Sequence, residues 1–393
     1  VITTLLLDLD DTLLKNDDEV FIPGYFERIS QYLAEIVPKE RMLAQLLAGT
    51  AAMLENKNPS LHLKDAFDQV FYPDINISYE ELQPHTDRFY AEEFPKLQEL
   101  TSQFPDSRKM LDFAHSRGLE VVVATNPLYP RTAVEQRLAW AEIPIDQFEY
   151  SLITSYENSH FAKPHLEYYA EILAKLGRNP HDAVMIGNDV SDDIEPAHAL
   201  GLATFHVRRD SSSDAQAEDL SRAIRWLEQS PEVIDPPTAA TPLALLARLK
   251  GNLVAFGDLF GDTKKSDWTV KPKPDSWAAI EIITHLRDVE REINFPRIKT
   301  ILVSEEPFLS AVDSDRWADE RGYLGNDPSS VIQSLWQARA ETIGLLKNES
   351  EETWNRTARH AIFGPTNLTE LVLIFIEHDL LHLRQLRSVL HRN

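Results

Sequence analysis

Short apolar runs at residues 1–8, 119–125, 149–153, 183–187 and 202–207 alternate with stretches whose apolar positions recur at helical spacing. The first run, Val1-Ile2-Thr3-Thr4-Leu5-Leu6-Leu7, has a β-branched start and no polar alternation, which predicts a buried strand. Strands that alternate with helices predict an α/β architecture with a mainly parallel sheet. Residues 166–176 form one of the separating helices, with Pro164 near its start and Gly177 just past its end. Between the first two runs lie about a hundred residues of helical pattern, with segments at Tyr25 to Val37, Glu40 to Leu54 and Tyr79 to Glu93. That is too long for one crossover connection. It predicts a helical cap, residues 15–105, inserted over the strand ends of a core made of residues 1–14 and 106–230.

The texture changes near residue 230. Residues 231–241, within Ser230-Pro-Glu-Val-Ile-Asp-Pro-Pro-Thr-Ala-Ala-Thr-Pro242, are rich in proline and small residues and read as a linker. Beyond it strand signals vanish. Amphipathic helical patterns at about 242–260, 276–302, 328–347 and 367–390 predict a four-helix bundle spanning residues 242–393. The expected fold is therefore a Rossmann-like parallel sheet with an inserted helical cap, followed by an all-α four-helix bundle. No internal repeat or low-complexity tract interrupts this plan.

Composition narrows the chemistry. At 393 residues the chain exceeds what one core usually supports. Its net charge of −24 repels phosphate backbones and anionic membranes, so neither nucleic acid nor a membrane is the expected partner. With no cysteine there can be no disulfide, thiolate nucleophile or cysteine zinc site, and any metal must be held by Asp, Glu, His or backbone oxygen. The N-terminal residues lack the zones of a signal peptide, and the longest strongly apolar stretch, Leu371 to Ile376, is far too short to span a bilayer. A cytoplasmic location is the resulting expectation.

Acidic and basic residues recur where strands are expected to end. The first run exits into Asp8-Leu9-Asp10; Thr125 follows the second; Lys163-Pro164 comes next; Gly187-Asn188-Asp189-Val-Ser-Asp192-Asp193 follows the fourth. Unpaired carboxylates are costly to bury, and the exits of parallel strands are where open α/β sheets bind ligands. Alone, an Asp-x-Asp is a solvated loop more often than a site, a Lys-Pro pair is uninformative, and Asp192-Asp193 suits an acidic helix start. Together and in order, they supply the nucleophile, proton donor, cation and hydroxyl donor that phosphoryl transfer requires. Two unit charges 4 Å apart repel by ~4 kcal/mol at an effective dielectric of 20. A hard cation at an all-oxygen site, such as Mg²⁺, would offset that repulsion between carboxylate and phosphate.

This set resembles the haloacid dehalogenase-like hydrolase superfamily over about residues 1–230. The resemblance implies Asp8 as nucleophile, Asp10 as general acid/base, Thr125 and Lys163 as the second and third motifs, and Asp189 with Asp193 as the acidic fourth. Asp8, Asp10, Asp189 and Asp193 are the expected Mg²⁺ site. Dehalogenases of the superfamily lack the second acidic residue of the first motif, so Asp10 argues for a phosphatase. The fourth motif commonly begins Gly-Asp. Here it reads Gly187-Asn188-Asp189, so either Asn188 or Asp189 takes the first ligand position.

A second constellation lies in the bundle. His378 and His382 are four apart, one turn along the same helix face, and can grip one transition metal. His285, on another predicted helix, could complete the set. By spacing alone such histidines often lie on a solvated face or in a hydrogen-bonded core. The segment 242–393 resembles the DinB/YfiT family of four-helix metalloproteins through Trp277, His285-Leu286, Asp288, Trp354, His360, Gly364 and His378-x-x-x-His382-x-x-Gln385. The resemblance implies His285, His378 and His382 as ligands of a divalent transition metal, zinc or nickel. The leading expectation is a Mg²⁺-dependent phosphatase of a small phosphorylated metabolite, acting through an aspartyl-phosphate on Asp8. The alternatives are a metal-dependent thiol transferase in the bundle, or a non-catalytic bundle that forms homodimers or senses a ligand.

Overall fold

The computed structural model describes residues 1–208, 219–229, 241–261 and 263–390. Most of the expected linker, residues 231–240, lies outside them. By their internal contacts the residues divide into two units, Val1–Tyr169 with Asn179–Pro237, and Ala170–Arg178 with Thr238–Asn393.

The first unit opens with β1 (Thr4–Leu7) and β2 (Leu14–Asn16), followed by helices α1 (Asp18–Tyr32), α2 (Lys39–Glu55), α3 (Leu63–Ile75) and α4 (Tyr79–Glu92). The chain continues through β3 (Thr101–Gln103), α5 (Ser107–Ser116), β4 (Glu120–Val123), α6 (Arg131–Trp140), β5 (Leu152–Ile153), α7 (Leu166–Leu176), β6 (Ala183–Gly187), α8 (Glu195–Leu200), β7 (Ala203–His206) and α9 (Leu220–Gln229). Five strands form a parallel sheet in the order β5-β4-β1-β6-β7. Burial explains the continuous apolar runs: Leu5, Leu6, Leu7, Val122, Val123, Val184 and Ile186 are all solvent-inaccessible. β1 is central, with β4 on one side and β6 on the other, so the strand order reverses beside it. β2 and β3 pair antiparallel at the entrance to and exit from the four-helix insertion.

The second unit contains α10 (Pro242–Gly261), then α11 (Ala279–Val289), a π-helical turn (Glu290–Asn294) and α12 (Phe295–Val303) in one run. After β8 (Phe308–Leu309) and α13 (Trp317–Glu320) come α14 (Pro328–Leu346), α15 (Glu351–Trp354), β9 (Thr357–His360), β10 (Gly364–Asn367) and α16 (Leu368–Leu390). The four long helical runs fall where expected. The expectation of a strand-free bundle is corrected, because β8, β9 and β10 form a small sheet. Strands of two to four residues leave no alternation long enough to read.

Arg339 of α14 ties the bundle together from inside. Its guanidinium bonds Glu290 at 3.0 and 3.1 Å and Asp379 of α16 at 2.6 and 3.1 Å. Asn252 of α10 adds a bond to the Ile376 carbonyl. Burial opposes the Arg339 charge, and the Asp379 and Glu290 carboxylates outweigh it, raising its pKa. No helix among the described residues is long and apolar enough to cross a membrane.

Candidate active site and metal centre

Three neighbouring strands deliver the first site. Asp8 leaves β1 with its N–H on the Ile186 carbonyl at 3.0 Å. Ala124 donates to the Leu7 carbonyl at 2.7 Å, so buried Thr125 follows directly where β4 ends alongside β1. Asn188 leaves β6 on the other side. Lys163, in the loop before α7, is 2% exposed and donates to Asp8 Oδ1 at 2.8 Å and Asp193 Oδ1 at 2.5 Å.

The electrostatics follow from burial. Asp8 is pushed up to about 8, first by desolvation, with Asp193 and Asp10 adding to the rise and Lys163 opposing it. Lys163 is held well above its usual value. Burial opposes its charge, but Asp193 and Asp8 override that. When both are ionised, Asp8 and Asp193 share the single Lys163 ammonium, which leaves that pair with an excess of negative charge.

A Cβ on Gly187 would stand 2.2 Å from Asp193 Oδ2, so only glycine lets that carboxylate lie against the end of β6. Asp193 Oδ2 also accepts the Asp189 N–H at 3.1 Å. The Asp189 carboxylate, by contrast, is exposed and caps the turn that follows. Its Oδ1 accepts from the Ser191 N–H at 2.7 Å, the Ser191 hydroxyl at 2.7 Å and the Asp192 N–H at 2.8 Å. Partial burial opposes the effect, but these bonds hold its pKa below the usual range.

It is the Asn188 amide that faces the nucleophile. One of its terminal atoms lies 3.2 Å from Asp8 Oδ2 and 3.0 Å from the Asp10 carbonyl oxygen. With the amide nitrogen there, it donates to both. With the oxygen there, its distances of 3.0 and 3.2 Å to the other two oxygens are close to the spacing of adjacent ligands around Mg²⁺, roughly 2.9 Å for bonds of 2.0–2.1 Å. The residues present therefore suit a hard cation, with Asn188 rather than the Asp189 side chain against Asp8.

Asp10 brings in a residue that the sequence reading missed. Its carboxylate accepts from Arg137 Nη1 at 2.9 and 2.7 Å and from Asn16 Nδ2 at 2.7 Å. Arg137 is 1% exposed, its guanidinium lies 4.6 Å from the centre of the Tyr129 ring, and its Nε and Nη2 have no hydrogen-bond partner among the described residues. Asp10 is thus engaged through its side chain with Arg137, and offers the Asn188 amide its main-chain oxygen.

In the second unit, α11 and α16 bring the three histidines together. His378 Nε2 lies 3.4 Å from His285 Nε2 and 3.2 Å from His382 Nε2. A tetrahedral ion with bonds of 2.0–2.1 Å separates its nitrogen ligands by about 3.3 Å. His382 Nδ1 bonds Gln385 Oε1 at 2.9 Å, so its Nε2 is left as the acceptor. Trp277 stacks on His382, 6.1 Å between ring centres. Burial lowers all three pKa values, His285 to about 3 and His382 to about 4, so each ring is neutral and able to ligate.

Comparison with known proteins agrees with both halves. Residues 2–201 match the family model for haloacid dehalogenase-like hydrolases, and residues 248–386 match that of the DinB superfamily. The glyceraldehyde 3-phosphate phosphatase of Methanocaldococcus jannaschii is 29% identical over 122 residues, 31% of this chain and 51% of that protein. The pyrophosphatase PpaX of Bacillus pumilus is 26% identical over 206 residues, 52% of this chain and 83% of that protein. The chain thus spans about half the length of the first and most of the second. Among solved structures, YfiT from Bacillus subtilis, a four-helix bundle, aligns with a TM-score of 0.32 and 16% identity, covering 49% of this chain and 97% of that one. With its parallel sheet, its acidic strand exits and a family match over half its length, the chain belongs to the haloacid dehalogenase-like hydrolases, and the residues that follow the hydrolase domain match the DinB superfamily.

Proposed function

We propose that the first unit is a Mg²⁺-dependent phosphatase of a small phosphorylated metabolite. The observation that carries this reading is the contact of Lys163 with both Asp8 and Asp193 at the exit of the central strand. The phosphatase names of the relatives support it. An Asp8 oxygen attacks phosphorus, and the ester oxygen leaves as Asp10 gives it a proton. A water then attacks the aspartyl-phosphate, Asp10 takes up its proton, and phosphate departs with Asp8 restored. Lys163 offsets the charge brought together in that attack. The Thr125 hydroxyl donates to the phosphoryl group. Arg137 and Asn16 fix the direction of the Asp10 carboxylate. Asp8, the Asp10 main-chain oxygen and Asn188, in the place expected of Asp189, would hold Mg²⁺, which would supply neutralisation of the phosphoryl oxygens; Asp193 would act through Lys163. Replacing Asp8 by Asn should abolish turnover of an aryl phosphate without unfolding the protein, and full activity in that variant rules the mechanism out.

A second activity in the bundle rests on the spacing of the three imidazole nitrogens. His285, His378 and His382 would hold zinc or nickel, which would lower the pKa of a thiol or water bound there. Metal analysis of protein purified without a nickel column tests this. An equimolar transition metal that is lost in His378→Ala supports the site, and metal-free protein contradicts it.

A further inference from the structure

Within the first unit, a cavity of ≈ 690 Å³ is enclosed by α1 to α4 and floored by the segment from Leu128 to Gln136. This is the size of a site for a drug-sized ligand, far more than a phosphoryl group needs. Its floor adjoins the chemistry: Tyr129 lines the cavity and stacks on Arg137, whose Nη1 holds Asp10 at 2.7 Å. An ester whose phosphorus is at Asp8 therefore has this space beyond its leaving oxygen.

The lining says what belongs there. Tyr25, Tyr72, Tyr79, Tyr90, Tyr129 and Tyr156 all contribute. Tyr25 meets Tyr129 with ring centres 5.2 Å apart, and its hydroxyl bonds that of Tyr90 at 2.8 Å. Burial raises the pKa of both phenols of that pair, Tyr25 to about 12, so they are neutral. Among the described lining residues the only cation is Lys64. It is paired with Asp68 at 2.5 Å and lies 4.3 Å from the centre of the Tyr79 ring, whereas Asp87 and Glu157 add negative charge. Arg137, behind Tyr129, is engaged by Asp10. A second phosphate or a carboxylate would enter a negatively charged aromatic chamber whose one described cation, Lys64, is already paired with Asp68, at a cost in desolvation. One acceptor stands ready for a hydroxyl or N–H: Gln136 Oε1, buried and without a partner among the described residues.

We propose that the substrate is a phosphate monoester of an uncharged, aromatic or bulky apolar alcohol, with no second anionic group. This rests on the phosphatase reading and names its leaving group.

The test compares kcat/KM with Mg²⁺ for 2-(2-naphthyl)ethyl phosphate, glycerol 3-phosphate, propane-1,3-diyl bisphosphate and pyrophosphate. Calorimetry in parallel measures binding of 2-(2-naphthyl)ethanol itself. Burial of the ring predicts a preference of about a hundredfold or more for the naphthyl ester, and measurable binding of the alcohol. Thr50→Trp, which fills the cavity from α2, should cut kcat/KM for the naphthyl ester at least tenfold more than for glycerol 3-phosphate and weaken the alcohol. Gln136→Lys, which adds a cation, should shift preference toward the bisphosphate, and keeps the test open if the tryptophan variant unfolds. Equal or faster turnover of glycerol 3-phosphate, bisphosphate or pyrophosphate overturns the inference while leaving Asp8 chemistry intact. If no ester is hydrolysed, the phosphatase reading fails. The alcohol still decides the cavity: wild-type protein that does not bind it overturns the inference.

Discussion

In the proposed mechanism Asp10 gives a proton to the leaving oxygen, and Arg137 and Asn16, which both bond its carboxylate, determine where it points. Arg137→Met would free that carboxylate and leave the packing against Tyr129 mostly intact. We expect kcat to fall by about ten- to a hundredfold, the range of a misdirected proton donor, with KM changed less; steady-state kinetics on a generic aryl phosphate would read it. An unchanged kcat would mean that Asp10 needs no such guide. Arg137 was illegible beforehand because it is a lone arginine on a helix, 127 residues from its partner. Asp8 was legible because it follows a buried apolar run, whereas Lys163 and Asp193 were legible only through their order in the set of four motifs. What the sequence left open was the register at Asn188 and Asp189. That depends on which side chain the turn after β6 consumes as a cap, a matter of local hydrogen bonds rather than residue type.

At the level of elements, the parallel strands were readable because burial on both faces makes them continuous apolar runs. The cap helices were read less well. α1 begins at Asp18, capped by Asp17, and runs through Pro23, whereas the sequence reading started it at Tyr25, beyond the proline. α3 lies within the stretch of helical pattern but has no segment of its own there; it carries Pro73 and ends on Asn76 in a left-handed conformation. Proline in a helical pattern signals a break, and here packing of the aromatic face wins. Two substitutions test the elements directly. Gly187→Ala would push Asp193 from Lys163 and should lower both turnover and melting temperature, even though Gly187 has an ordinary φ, where alanine otherwise stabilises by restricting the unfolded chain; an active, equally stable variant would mean that β6 can yield. Arg339→Met would leave Glu290 and Asp379 buried without their partner and should destabilise the bundle by about 3–5 kcal/mol in denaturant unfolding. A loss under 1 kcal/mol would show that the network relaxes or takes up water.

For the whole molecule, the two sites make opposite demands on pH once metals are removed. Asp8 has a folded-state pKa raised from 3.8 to about 8, so its favourable contribution is complete below about pH 4 and is lost as pH rises toward 8. His285 and His382 have pKa values lowered from 6.5 to about 3 and about 4. Their contribution is present above 6.5 and is lost as pH falls through that window. In chelator, Asp8→Asn should therefore raise the melting temperature more at pH 8 than at pH 5, and thermal melts at the two values check it. An effect of the same size at both would mean that Asp8 is not strained by burial. The acidity of the whole chain, −24, was plain in its composition. The cavity beneath the cap was not, because its walls come from four helices and a core loop that only the fold assembles.

The proposed hydrolysis passes through a covalent bond to Asp8. Acid-quenched enzyme, caught during turnover with Mg²⁺ and digested, should yield the peptide containing Asp8 heavier by one phosphoryl group, and Asp8→Asn should yield neither that adduct nor product. Turnover that survives in Asp8→Asn, or a phosphoryl group found on another residue, would contradict it.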